Sequence, residues 1–407
     1  MKILFISKYA TPPNYGTASR IFHLSEEMNS LGSDVSILTS DANHFGKFPK
    51  YKKIYNELSS EKYKVNIIRT IKYKRTTSLK RILSWIDFEM KVFYLLFLKR
   101  AYLPDILVVS SLSFFTILNG LLFKFFFKVP LVFEIRDIWP LTLTAEGGYK
   151  NKNPLIMLMS FIEKIGYKYS DLIIGTMPGL DKHLEKLNIK NKRFFCSPLG
   201  FYENSSFDQK KQDLQQIINL DDKKITIGYA GSMGITNALD NFIETIILMK
   251  DNPNVQFALV GSGDLRNTYY EKLNNLNNVA FGPKIPSNLV PHFLDNCDIL
   301  YLSTHDSEVW DYGQSMNKLV DYMLAGKTII ASYSGMQSMI NEANCGEFIS
   351  TKDPNRLKEI FEKYISLGKL RLDEIGLRGK HWLLENRSYK NLAYTYLNEL
   401  QRTVDEK

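Results

Sequence analysis

The sequence predicts an α/β chain built as two domains, each an open sheet of parallel strands. Three observations predict it. At 407 residues the chain exceeds what one ordinary core encloses. Its 44% apolar and 13% aromatic residues are a globular composition, too rich in core-forming side chains for disorder. Short apolar runs alternate with longer helical segments from end to end, the pattern of parallel strands joined by crossover helices.

In the first half, strands are expected at Ile3–Ser7, Val35–Thr39, Val65–Arg69, Ile106–Val109, Leu131–Ile135 and Leu172–Thr176. In the second half they recur at Ile225–Ala230, Val255–Val260, Val279–Phe281, Ile299–Leu302 and Thr328–Ala331. The junction falls near Phe194–Phe207, where Cys196-Ser197-Pro198-Leu199-Gly200 closes one unit and a polar segment opens the next. The opening Ile3-Leu4-Phe5-Ile6 soon meets Lys8 and Pro12-Pro13, so it reads as a buried strand and not as a signal peptide. Residues 106–127 are apolar, but Ser110, Ser111, Ser113, Asn119 and Lys124 interrupt them, which favours a strand and then a helix over Leu112–Phe127 above a membrane span.

The net charge of +9 is unevenly placed. Residues 1–195 carry 30 basic against 16 acidic side chains, and the remainder 22 against 27. Residues 51–100 alone hold 13 basic and 4 acidic, followed by the aromatic-rich stretches Trp85–Phe97 and Phe114–Phe127. This fits either an anionic membrane surface drawing in a basic, aromatic face or a solvated basic face beside buried helices. The three cysteines are odd in number, far apart and without metal-ligand spacing, which argues against a disulfide framework or a zinc site and for a reducing cytoplasm.

In open parallel sheets, ligands bind beyond the carboxyl ends of the strands, so motifs are sought there. After the first strand, Gly16 and Thr17 precede a helix bearing Ile21, Leu24 and Met28, where bare N–H groups can meet an anion. There is no GxGxxG, which weakens a dinucleotide-oxidoreductase reading. After Leu131–Ile135 comes Arg136-Asp137-Ile138-Trp139-Pro140, a charged cluster beside an apolar wall; pairing of Arg136 with Asp137 or with Glu134 is the plainer alternative. Gly231-Ser232-Met233-Gly234 and Gly261-Ser262-Gly263 follow strands in the second half and can cradle a diphosphate with backbone N–H groups. In Ser315-Met316-Asn317-Lys318-Leu319-Val320-Asp321, Ser315 and Asn317 can cap a helix, Lys318 adds a cation and Asp321 follows at i+3. That arrangement suits a diphosphate and a ribose diol together.

On these motifs the chain resembles retaining GT-B glycosyltransferases of glycosyltransferase family 4, in particular the subgroup that builds capsule, O-antigen and other bacterial surface polysaccharides. The resemblance implies two Rossmann-like domains with parallel sheets facing across a cleft: residues 1–200 for the acceptor, 201–385 for the donor, and a helix over 386–407 returning to the first. It implies Lys318, Asp137 and Arg136 as catalytic, and Gly16, Thr17 and Trp139 as acceptor-binding. It places the donor at Gly231, Ser232, Gly234, Gly261, Ser315, Asn317 and Leu319, with its base near Lys284 and Ile285 and its ribose on Asp321.

The implied reaction moves a sugar, N-acetylated in this reading, from a UDP-sugar to a lipid-linked saccharide with no metal and no cofactor. The implied partners are that nucleotide-sugar donor, the lipid-linked acceptor and the inner membrane surface, with no nucleic acid. Three departures from the family pattern stand out. Gly313 occupies the place of the first of two acids, no basic residue lies within Gly231–Asp240, and Arg136 stands where many relatives have histidine. A UDP-sugar epimerase of the same shape, or a catalytically silent partner subunit, is the alternative.

Overall fold

The computed structural model describes all residues except 17–18, 60–62, 75–77, 112, 114, 203–216 and 351. The chain divides into two compact units, Met1–Tyr202 with Arg387–Lys407, and Glu203–Asn386. The fold is α/β, with one sheet in each unit.

In the first unit the strands are β1 (Lys2–Ile6), β2 (Asp34–Ser40), β3 (Tyr55–Ser59), β4 (Lys64–Ile68), β5 (Ile106–Ser110), β6 (Leu131–Ile135), β7 (Leu172–Gly175) and β8 (Phe194–Cys196). Their order is β3-β4-β2-β1-β5-β6-β7-β8, parallel throughout except for the antiparallel edge pair β3 and β4. Central strands such as β5 and β6 are buried along their whole length, which is why their sequences read as continuous apolar runs. The edge strands β3 and β8 escape a search for such runs because Tyr55–Ser59 is half polar and Phe194–Cys196 has only three residues. The helix expected from Leu112 begins at Thr116, and Leu112 itself lies outside the described residues.

The second unit holds β9 (Ile225–Ser232), β10 (Val255–Ser262), β11 (Val279–Gly282), β12 (Ile299–Ser303), β13 (Thr328–Ser332) and β14 (Gly346–Ile349), all parallel, in the order β11-β10-β9-β12-β13-β14. After β11 the chain crosses to the other side of β9, so the switch point of the sheet lies between β9 and β12. In the core of this unit Phe242 and Tyr301 stack with ring centroids 4.2 Å apart, and Phe361 meets both edge-on.

The last helix, Tyr389–Asp405, packs in the first unit, its Leu392, Ala393, Tyr396 and Leu400 joining Ile21, Phe22 and Met28 in one core. Its outer face is held by Arg193, which reaches Glu399 at 2.6 Å and Glu406 at 2.8 Å. A deeper tie lies beneath. The Arg20 guanidinium donates to Glu134 at 2.5 Å and to the Ser197 carbonyl and hydroxyl at 2.7 and 2.8 Å, with Tyr396 at 3.5 Å from the same carboxylate. Both charged side chains are 2% exposed or less.

Removing one partner of such a pair strands the other charge in the core, at a cost of about 3–5 kcal/mol. Glu134→Ala is therefore expected to lower the stability of the first unit by that amount in urea denaturation, while Arg402→Ala, whose pair with Glu406 is exposed, leaves the midpoint at the parent's value. Equal midpoints for the two variants would show that the Arg20–Glu134 pair is not a structural tie.

Candidate active site

The second unit builds its site at the switch point. Parallel pairing of β9 with β10 sets Gly231 beside Gly261 and Ser232 beside Ser262, so two turns leave the sheet side by side. Their backbones are too close for side chains. A Cβ on Gly261 would lie 1.8 Å from the Gly231 carbonyl oxygen, and one on Gly263 would lie 2.6 Å from the Met233 backbone. At Gly231 the intruder is Lys318 itself, with Cε 2.7 Å and Nζ 2.8 Å from where a Cβ would stand.

Lys318 enters from the first turn of the helix Asn317–Leu324. Its ammonium donates to the Tyr229 hydroxyl at 2.9 Å and to Asn237 Oδ1 at 3.2 Å, and it lies 4.3 Å from the centre of the Tyr229 ring. The Tyr229 hydroxyl in turn donates to the Ser232 carbonyl. Asn237 is fixed from the other side of the switch point, its carbonyl accepting from Ser303 Oγ at 2.6 Å. Among these contacts the ammonium meets no carboxylate, and burial lowers its pKa to about 8. The result is a cation held ready beside glycine-lined backbone, at the positive end of a helix. Tyr229 and Asn237 were not among the expected site residues, although Tyr229 stands two positions before Gly231 in the same strand.

The expectation that Ser315 and Asn317 cap this helix does not hold. Met316 occupies the cap position and makes no side-chain hydrogen bond there, while Asn317 is the first helical residue and is exposed. Leu319 is fully buried, so only its backbone can face a ligand. Asp321, one turn on, keeps an open face to solvent even though surrounding protein raises its carboxyl pKa, an upward direction that water moderates. Ser232 is likewise exposed, and Gly234 lies in the turn just beyond it. Lys284 and Ile285 follow edge strand β11, two strands from β9 and thus roughly 10 Å along the sheet edge. Lys284 is exposed and Ile285 buried.

Gly313 has a conformational reason to be glycine. It ends the short helix Glu308–Tyr312 at φ 108° and ψ −174°, a region essentially closed to side chains. The first acid of the pattern is thus excluded by this backbone.

In the first unit, the charged cluster after β6 is arranged otherwise than its internal pairing suggested. Glu134 bonds to Arg20, not to Arg136. Arg136 is pinned through its backbone, its N–H donating to Ser111 Oγ and its carbonyl accepting from Thr176 Oγ1, both at 3.1 Å. Burial lowers the Arg136 pKa and raises that of Asp137, with each charge partly offsetting the other's desolvation. Gly16 does not stand at a helix start: the helix begins at Arg20, and Gly16 instead bridges to Gly46, where a Cβ would strike Phe45 O at 2.1 Å. Thr17 lies outside the described residues.

Trp139 joins a cluster that includes residues not anticipated. Trp85 Nε1 and Arg81 Nε donate to the Tyr9 hydroxyl at 2.7 and 3.2 Å, and the Arg81 guanidinium lies 5.2–5.7 Å from the rings of Trp85, Trp139 and Tyr9. Several basic residues of 51–100 are already engaged, Lys64 with Asp34, Lys72 with Asp41 and Lys91 with Asp87, so the run is less free to bind anions than its count implied. Among the described residues no group of three metal-ligating side chains gathers, and no helix is long and apolar enough to cross a membrane.

Residues 224–366 match the family described as glycosyl transferases group 1. No curated protein matches by sequence. In structure the chain is similar to sucrose-phosphate synthase from Thermosynechococcus elongatus (15% identity, all of both chains, TM-score 0.74). It is also similar to HepE from Anabaena in complex with UDP (15%, 99% of this chain and 100% of that one, 0.66). A third is WaaG, a glycosyltransferase involved in lipopolysaccharide biosynthesis (17%, 97% and 98%, 0.64). The fold is GT-B, and with the family match across the second unit the chain is a glycosyltransferase.

Gly261→Ala is expected to destabilise the second unit by about 1–3 kcal/mol, because its Cβ has nowhere to go. Gly234→Ala, which meets only Ser232 Oγ at 3.5 Å, should stay within about 0.5 kcal/mol. Thermal unfolding of the two variants compares them directly, and equal losses would contradict the close approach of the turns.

Proposed function

We propose that this glycosyltransferase moves a sugar, N-acetylated in our reading, from a UDP-sugar to a lipid-linked or polysaccharide acceptor with retention of configuration. The reading includes family 4 membership and a role in bacterial surface-glycan synthesis at the inner face of the membrane. The observation that carries it is the Lys318 ammonium beside the Gly231 turn, held by Tyr229 and Asn237 at the mouth of a helix. Structural likeness to HepE solved with UDP and with UDP-glucose supports the donor, and likeness to WaaG supports the acceptor class.

The chemistry follows from where charge develops. As the bond between the anomeric carbon and the diphosphate breaks, negative charge gathers on the leaving phosphate. In this reading Lys318, held by Tyr229 and Asn237, and the N–H groups in the first turn of the helix Asn317–Leu324 meet that charge. The acceptor hydroxyl attacks the same face of the sugar, and its proton passes to the departing phosphate oxygen, so no protein nucleophile is required. Neither metal nor cofactor enters this scheme, and EDTA is expected to leave turnover unchanged. Asp321 accepts from the ribose hydroxyls.

A thermal-shift screen of uridine- and guanosine-diphosphate sugars identifies the donor, since a ligand at 100 times its Kd adds about 2.7 kcal/mol. Stabilisation by neither class would sink the reading, and sugar interconversion without transfer would point to an epimerase. Lys318→Ala is expected to lower turnover about 10²–10³-fold with an intact fold; a loss under threefold would remove Lys318 from the chemistry. Asp321→Asn should weaken bare UDP, and unchanged affinity would place the ribose elsewhere. The ammonium carries its charge below about pH 8 and loses it above. UDP affinity should therefore fall between pH 8 and 9.5, by up to about tenfold per unit, in the parent and not in Lys318→Ala.

A further inference from the structure

The helix Leu79–Phe93 turns an apolar stripe to solvent, Leu79, Leu83, Ile86, Met90 and Phe93, at the spacing of a single helix face. Beside it the helix Thr116–Phe127 exposes Leu118, Leu122, Phe125 and Phe126. Such a contiguous face is uncommon on a soluble protein and marks something that covers it. Between the two helices lies an open slot of about 550 Å³ walled by Met90, Phe93, Tyr94, Leu98, Phe115 and Leu118. That is within the range of roughly 300–1,000 Å³ typical of ligand clefts. The chain widens into a π-helix over Tyr94–Leu98 along its wall, a local form frequent at functional sites.

The polar groups at the slot satisfy one another. Glu89 accepts from Ser113 at 2.8 Å, Thr116 at 2.6 Å and Asn119 at 2.8 Å, leaving walls that ask only for hydrocarbon. The surroundings are cationic. Lys99, Arg100 and Lys128 lie 5.2–5.9 Å from the rings of Tyr94, Phe127 and Phe125, and Lys80 is exposed, whereas the nearby Asp87 is engaged by Lys91. Across a two-fold axis a second copy would set these cations against themselves. An anionic lipid complements both the stripe and its rim.

Phe115 links the slot to the cluster described above: its ring is 6.3 Å from that of Trp85, which is 6.2 Å from that of Trp139 beyond the end of β6, with Arg81 over both indoles. We infer that the slot holds the hydrocarbon chain of a lipid-phosphate acceptor whose phosphate meets Arg81 and whose sugar lies against Trp139. This rests on the transferase reading with a lipid-linked acceptor, and names where each part of that acceptor lies.

The probe is farnesyl phosphate, monomeric in solution, titrated calorimetrically against the full chain with farnesol and inorganic phosphate as the other arms. Farnesyl phosphate is expected to bind, farnesol at least tenfold more weakly, and inorganic phosphate not at all over the same range. The double variant Met90→Glu/Leu98→Glu changes two side chains that are 68% and 69% exposed, so its fold should be kept. It should lose farnesyl phosphate and farnesol alike by tenfold or more, yet retain stabilisation by UDP, which separates this proposal from the donor site. Arg81→Gln should weaken farnesyl phosphate toward the level of farnesol and leave farnesol unchanged. Undiminished binding by the double variant would overturn the slot. So would a parent that sediments as a dimer, becomes monomeric in the double variant and ignores farnesyl phosphate. If UDP fails to stabilise the parent while farnesyl phosphate binds as described, the slot stands and the transferase reading falls.

Discussion

Gly231 has no side chain, and Lys318 fills the volume that one would take. Much of the second unit can be read from that contact. The strand pairing that aligns Gly231 with Gly261 brings the two turns together, the absence of Cβ atoms lets them touch, and the helix Asn317–Leu324 then delivers its cation into the gap. Tyr229 on β9 and Asn237 just after it hold the ammonium, and Ser303 of β12 fixes Asn237 across the switch point. A cation partly removed from water and unmatched by a carboxylate at these contacts is costly, and its lowered pKa expresses that cost. In the reaction proposed for this site a diphosphate offsets that cost, so affinity for the leaving group and the lowered pKa of Lys318 would share one origin.

The first unit depends on a different economy of charge. Arg20 and Glu134 are buried together, and their hydrogen bonds reach Ser197 and Tyr396, so the first helix, the middle of the sheet, the end of the last strand and the final helix meet at one ionic centre. Such centres add little stability relative to an apolar core, whereas the loss of either partner leaves a buried charge unmatched. Arg136 and Asp137, just past the same strand, differ in being held by backbone contacts and half-buried, which suits residues at a sheet edge where ligands arrive.

The alternation of apolar runs and helices was enough to read two α/β units, because central parallel strands are buried on both faces and announce themselves as continuous apolar segments. Edge strands such as Tyr55–Ser59 have no such obligation and passed unseen. The glycine turns and Lys318 were legible through residue type and spacing. The capping roles given to Ser315 and Asn317 were not correct, since helix starts depend on backbone angles that a one-residue shift changes. Gly313 looked like a lost acid in sequence and is a backbone requirement in three dimensions. The partnership of Glu134 with Arg20 joins residues 114 apart, and that of Trp85 with Tyr9 joins residues 76 apart; no local pattern carries either.

The return of Tyr389–Asp405 to the first core has a consequence for biosynthesis. When Tyr202 leaves the ribosome the first unit still lacks the helix that covers Ile21, Phe22 and Met28, and Glu134 still lacks Tyr396. All of Glu203–Asn386 must be made before that helix emerges, roughly 10–40 s at about 5–20 residues per second. During that interval the second unit can close its own sheet while the earlier one waits with an apolar groove uncovered. The second unit, made later than most of the first, can therefore complete its core before the first does.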